Sequence, residues 1–221
     1  MRISLFLTLV LQLVLSQERT FEVHPYGRLG TDKNLTASTS LGDLDGDGDI
    51  DIVVANGRHW SEQNRVFFND GKGFFRRSIS LGTERNTTYV TPVVDIDNDG
   101  DLDLVVNNVN MPSFVYENQT DKKDSGNYIQ FDLKGIGKNT MAIGTQIRVY
   151  DGLNYYYIQH QPTRGFQSSV DLRPHIGLPT KNNVDIEITW TNGLKSNFDD
   201  VEINQIISIS QSDVDYSDDA H

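Results

Sequence analysis

No cysteine occurs among the 221 residues, which excludes a disulfide framework, a thiolate zinc site and a thiol nucleophile. Basic residues are scarce: 19 Lys and Arg stand against 31 Asp and Glu, giving a formal charge of -12 and a sequence pI near 4.7. Nucleic acid is therefore not expected as a partner, because phosphate binding draws on clustered cations that displace counterions. Helical periodicity is missing throughout. So are a Gly-x-Ser-x-Gly elbow, a His-Glu-x-x-His pair and a phosphate-binding glycine loop, so catalysis is not expected. The five histidines, at 24, 59, 160, 175 and 221, show no ligand spacing and read as surface or loop residues. His175, inside the Leu172 to Leu178 segment, reads the same way and is the only one to watch.

Long apolar runs are confined to the N-terminus. Met1-Arg2 is followed by Ile3 to Leu15, almost entirely apolar, and by Ser16. This run of about 13 residues is too short for a span, which needs about 20, and its flanks read as a signal peptide over residues 1–16. A secreted chain is expected, or a periplasmic or cell-surface one if the host is bacterial. Removal of residues 1–16 takes the formal charge to -13. Asn34, Asn86 and Asn118 open Asn-x-Thr sequons, which mark surface positions where the host glycosylates secreted proteins.

The chain repeats itself. Leu41 to Asn56 aligns without gaps on Val93 to Asn108, 52 positions later, and Leu29 to Thr36 falls on Leu81 to Thr88 at the same offset. Two units are expected, about 20–72 and 73–124, within a region 17–125. Ile50, Ile52 and Val54, like Leu102, Leu104 and Val106, alternate as in strands, and Asn69 to Gly73 reads as a tight turn. Phe74 and Phe75 are expected to open the next strand and to be buried between the units. Three or four short strands per unit is what a propeller blade needs. From about Asn127 the repeat stops. Tyr128 to Lys134, Gln146 to Tyr150 and Asp185 to Trp190 alternate between glycines, as in an antiparallel β-sandwich over 126–210. Tyr155-Tyr-Tyr157, near Tyr150, reads as strand packing with alternate tyrosines wet, or as a stacking platform for a sugar or protein. Residues 211–221 read as an acidic disordered tail.

Asp43, Asp45, Asp47, Asp49 and Asp51 occupy positions 1, 3, 5, 7 and 9 of one loop, and Asp95, Asp97, Asp99, Asp101 and Asp103 those of its counterpart, with Gly48 and Gly100 at position 6. Like charges so crowded repel one another unless a cation sits among them. Ca²⁺ accepts six to eight oxygens in flexible geometry, so about two ions are expected, with side chains at positions 1, 3, 5 and 9 and the carbonyl at position 7 as ligands. Position 12 is Val54 or Val106, where an EF-hand places glutamate. Two solvated acidic turns are the alternative.

The aspartate loop followed by an apolar strand resembles the FG-GAP or VCBS repeat, the calcium-binding blade of integrin-α-type propellers. Gly144-Thr-Gln-Ile-Arg-Val149, Arg164-Gly-Phe-Gln-Ser168, His175-Ile-Gly-Leu178 and Trp190-Thr-Asn-Gly193 resemble the ASPIC/UnbV domain, and the combination is similar to the cartilage acidic protein family. The resemblance implies an all-β fold: a partial β-propeller of two FG-GAP-type blades followed by an antiparallel β-sandwich-like domain. It implies a secreted calcium-binding module for adhesion or for binding an extracellular protein or glycan, without catalysis. An extracellular polysaccharide-active hydrolase or its accessory subunit is one alternative, and a truncated fragment of a longer propeller protein another. Two units leave open blade edges, so self-association, or a partner protein, is expected there. Residues near Tyr128 to Leu133 are expected to cover one flank.

Overall fold

The computed structural model describes residue 29 and residues 33–119, 127–163 and 169–213; the signal-peptide reading, the Arg164 to Ser168 motif and the end of the tail lie outside them. The described residues form fifteen strands and no α-helix. In the first unit β1 (Thr36–Gly42), β2 (Asp51–Asn56), β3 (Arg65–Phe68) and β4 (Arg77–Ser80) make an antiparallel sheet in chain order. In the second, β5 (Thr88–Val90) and β6 (Val93–Val94) both pair with β7 (Asp103–Asn108), on whose other side lies β8 (Phe114–Tyr116). β5 and β6 are thus one inner strand interrupted at Thr91-Pro92, and they occupy the place of β1 at the 52-residue offset. The first unit has four strands side by side and the second three, with β5 and β6 counted as one, so the repeat builds two propeller-like sheets that do not close.

The units share a core. Leu44, Val53, Val66, Phe68 and Leu81 pack with Leu102, Leu104 and Val106, as facing sheets do when alternate residues point inward. Phe74 and Phe75 are not part of it, contrary to the expectation from sequence. Both are half-buried in the segment ahead of β4, with the Arg76 guanidinium 4.9 Å from the Phe74 ring centre. The left-handed Gly71 and Gly73 prolong the turn, so the strand starts only at Arg77 and its four residues are exposed. Leu81 takes the core position instead.

The C-terminal half sets β9 (Asn127–Lys134), β10 (Gln146–Tyr150), β11 (Tyr155–Gln159), β12 (His175–Leu178), β13 (Val184–Thr189), β14 (Lys195–Val201) and β15 (Gln205–Ser210) into two sheets, ordered β11-β10-β13-β14 and β12-β9-β15. Phe131, Ile129, Ile147, Val149, Leu178, Ile186, Ile188 and Trp190 fill the space between them. The sandwich is not wholly antiparallel as expected: β15 runs parallel to β9, from Gln205 opposite Ile129 to Ser210 opposite Lys134. Parallel pairing needs a long crossover, and nearly the whole domain between the two strands supplies it.

Two further expectations change, and one is narrowed. His160 lies in the loop after β11, as one of its two readings had it, but is buried at 3 % exposure, with its Nε2 2.9 Å from the Met141 carbonyl oxygen. Gln211 to Asp213 form a 3-10 turn instead of a loose tail, because Gln211 is buried and accepts a hydrogen bond from the Ile136 N–H. Sequons do not mark surface throughout: Asn86 is 1 % exposed and its amide donates to the Glu84 carbonyl oxygen.

Asn64 ties the two units together. Fully buried, it accepts the Asn56 N–H at 2.8 Å and donates to Thr88 Oγ1 at 2.6 Å. Replacing Asn64 by Ala leaves the buried Asn56 N–H without this acceptor, while the Thr88 hydroxyl keeps its bond to Asn108 Oδ1, and is expected to destabilise the protein by about 1–3 kcal/mol, read as a lower urea midpoint. A change below about 0.5 kcal/mol would mean that the link contributes nothing measurable.

Candidate metal centre

Each aspartate loop connects an inner strand to its neighbour. Asp43 follows β1 and Asp51 opens β2; Asp95 follows β6 and Asp103 opens β7. The turn depends on left-handed residues at positions 4 and 6: Gly46 and Gly48 in the first loop, Asn98 and Gly100 in the second. Glycine adopts that conformation without cost and Asn is among the few others that tolerate it.

Position 9 braces the loop. Asp51 accepts the Leu44 N–H at 2.9 Å and the Asn69 N–H at 2.9 Å; Asp103 accepts the Ile96 N–H at 2.9 Å and the Asn118 N–H at 2.7 Å. The Asn118 amide also donates to the Leu44 and Leu102 carbonyl oxygens, joining the loops to each other. Position 1 differs between them. Asp43 accepts N–H groups from Gly46 at 2.8 Å and Gly48 at 2.9 Å. Asp95 is 1 % exposed; the Asn98 N–H acts on its charge, but among the described residues neither carboxylate oxygen has a partner in full hydrogen-bond geometry.

The geometry gathers three carboxylates per loop with oxygens within 4.8 Å of one another: Asp43, Asp45 and Asp51 in the first, Asp95, Asp97 and Asp99 in the second. Asp47, Asp49, Asp101 and Asp103 lie outside these groups. Asp47 accepts the Asp49 N–H, Asp49 lies against Gly71, and Asp45 is ion-paired to Arg77 at 2.5 Å while its Oδ1 is buried without a partner among the described residues. Each cluster is a hard, all-oxygen donor set with orphaned buried oxygens, and such a set fits a divalent cation that prefers carboxylate and carbonyl ligands.

Electrostatics point the same way. Burial, reinforced by the charges of Asp47 and Asp51, pushes the Asp43 carboxyl up to about 7 against its backbone hydrogen bonds. Burial also takes Asp51 to about 6, and raises Asp45, Asp49 and Asp95, each with neighbouring carboxylates contributing.

The C-terminal half lies directly on these loops. His175 Nε2 is 3.0 Å from the Gly100 carbonyl oxygen, and the Tyr128 ring stacks on His175 with centres 5.5 Å apart. Arg173 donates to Asn98 Oδ1 and to the Asp95 carbonyl oxygen. Tyr128, foreseen as covering a lateral flank, instead meets the loop end of the second unit. Arg173, Asn118 and Gly177 were not singled out as site residues from sequence; the one available signal was the recurrence of Asn69 and Asn118 at the ends of β3 and β8. Between the halves opens a cleft of about 740 Å³. Leu41, Ile50, Gln130, Tyr157, Arg173 and the loop carboxylates Asp43 and Asp95 are among its walls.

Fold and loops together define an all-β repeat module with two carboxylate clusters able to hold metal ions. Residues 43–106 match the family described as FG-GAP-like repeat, and residues 135–215 match the family described as ASPIC and UnbV. The chain therefore joins an FG-GAP-like repeat region, spanning both aspartate loops, to an ASPIC/UnbV domain. No curated protein matches it. Among the described residues no helix is long and apolar enough to cross a membrane.

The raised carboxyls set a pH dependence. A folded-state pKa of about 7 for Asp43, above the ordinary 3.8, means that the cation-free folded chain binds more protons than the unfolded one between those values. This stabilisation is present in full below the unfolded value and is lost as pH rises through the folded one. In chelator, the melting temperature is expected to fall between pH 5 and pH 7.5 (roughly the titration range of buried carboxyls). A rise over that interval would show that the loops are not under carboxylate strain.

Proposed function

We propose that the chain is a secreted calcium-stabilised module that binds an extracellular protein or glycan and carries out no catalysis. The observation that carries this reading is a three-carboxylate cluster in each of the two repeated loops, with Asp95 buried and neither of its oxygens in full hydrogen-bond geometry with a partner among the described residues. Calcium suits them better than magnesium, which keeps more of its water, or transition metals, which favour His or Cys. The carboxyls held above their usual range all belong to the loops, and two of them, Asp43 and Asp95, also line the cleft. Asp43 is bound by the Gly46 and Gly48 N–H groups of its own loop, which favours a cation-holding role over proton transfer to a substrate. The exposed Tyr155 and Tyr157 at the cleft offer aromatic faces for a sugar or a protein side chain.

Calorimetry on chelator-stripped protein is expected to show about two calcium sites, and no binding heat would refute the reading. At a hundredfold excess over Kd each site adds about 2.7 kcal/mol of stability, so the melting temperature should rise with calcium.

The open edge supports self-association. β8 has no strand on its outer side among the described residues, and Val115 in it is 59 % exposed. Light scattering at tens of micromolar is expected to show a species larger than a monomer; a pure monomer that binds no apolar dye would mean that the edges are covered.

Glycan, where the host adds it, is expected at the exposed Asn34. Asn86 is buried, and the Asn118 amide is bonded to Leu44 and Leu102. Glycopeptide mass spectrometry checks this, and full occupancy at Asn86 would contradict it.

A further inference from the structure

We infer that the aspartate loops are composite sites, each completed by strands of the C-terminal half, so that cation binding and docking of the two halves strengthen each other. This rests on the calcium reading and goes beyond it, because it assigns a role to residues that bear no ligand atom.

Gly177 carries the argument at the first loop. A Cβ placed on it would lie 1.8 Å from Asp43 Oδ2 and 2.7 Å from Asp43 Cγ, while its φ lies outside the left-handed region. Its backbone is ordinary strand, paired opposite Tyr128. Glycine is therefore required there by the neighbouring carboxylate and not by backbone conformation. Pro179 continues the contact, its Cδ 2.6 Å from where a Gly48 Cβ would sit. Asp43 is thus held between its own loop's N–H groups and the β12 backbone, and is only 7 % exposed.

At the second loop the same strand and its neighbour β9 act through polar and ring contacts. His175 Nε2 meets the Gly100 carbonyl oxygen, Tyr128 closes over Gly100 with ring carbons 2.1 Å from where a Cβ would lie, and Arg173 reaches Asn98 and the Asp95 carbonyl oxygen. β12 and its flanks, with Tyr128 of β9, therefore meet positions 1 and 6 of one loop and positions 1, 4 and 6 of the other. Ligand carboxylates gain affinity when their geometry is held in advance by neighbours that are not ligands. By linkage, the cation must stabilise docking by the same factor as docking strengthens the cation site.

The test is calcium titration of the full chain with two variants. Gly177→Ala is measured in an Asp97→Ala background, which isolates the first loop, and Tyr128→Ala in an Asp45→Ala background, which isolates the second; each variant is also measured against the opposite background. Each is expected to weaken the loop it touches roughly tenfold and the other less than about threefold. Equal weakening of both loops by both variants would indicate general destabilisation and overturn the proposal, as would wild-type affinities throughout. Hydrogen exchange on the unmutated chain needs no variant to fold. Calcium is expected to slow the amides of Ile176 to Leu178, and unchanged exchange there overturns the coupling. If the unmutated chain binds no calcium, this proposal and the calcium reading fall together; if it binds calcium without the crossed pattern, only the coupling falls.

Discussion

The crowding of carboxylates in two nine-residue turns is the constraint on which the rest of the structure depends. Like charges this close in a partly buried setting oppose folding unless backbone donors, cations or both hold them. The loops answer it first with their own chain: position 9 accepts two N–H groups in each unit, and left-handed residues at positions 4 and 6 turn the backbone inward. Least served by the chain's own donors are the two oxygens of Asp95, which have no partner in full hydrogen-bond geometry among the described residues.

That local problem shapes the overall arrangement. The loops sit at the ends of the inner strands, where the two sheets come together over Leu44, Leu102 and their neighbours, and the C-terminal domain closes on that end. Gln130 shows the consequence for the sandwich. Polar and in the middle of β9, it is 1 % exposed because the sheet face that would meet water faces the repeat region instead. With no cysteine available, the contact between the halves is made of packing, hydrogen bonds and the carboxylate seam.

The sheets also explain why two repeats form a unit. Neither three- or four-stranded sheet could bury both faces alone; each uses the other as its second layer, with Asn64 spanning the gap to Thr88. The second sheet ends at β8 because the chain that would supply its fourth strand, at the position of β4, goes instead into β9.

Much of this was legible in the sequence, and for local reasons. The 52-residue offset predicts β1 against β5 and β6, and β2 against β7, since identical local patterns at identical spacing fold alike. Alternation located β9, β10 and β13, and the aspartates announced the loops because their spacing and charge are covalent facts. What tertiary structure alone decided was every relation between distant segments. Which three carboxylates converge depends on side-chain direction, not spacing, so the two loops gather different positions. The parallel course of β15 depends on a crossover, the burial of His160 and Asn86 on what packs above them, and the glycine at 177 on a carboxylate more than a hundred residues away. No local pattern encodes such contacts, because they arise only when the two halves close on the same pair of loops.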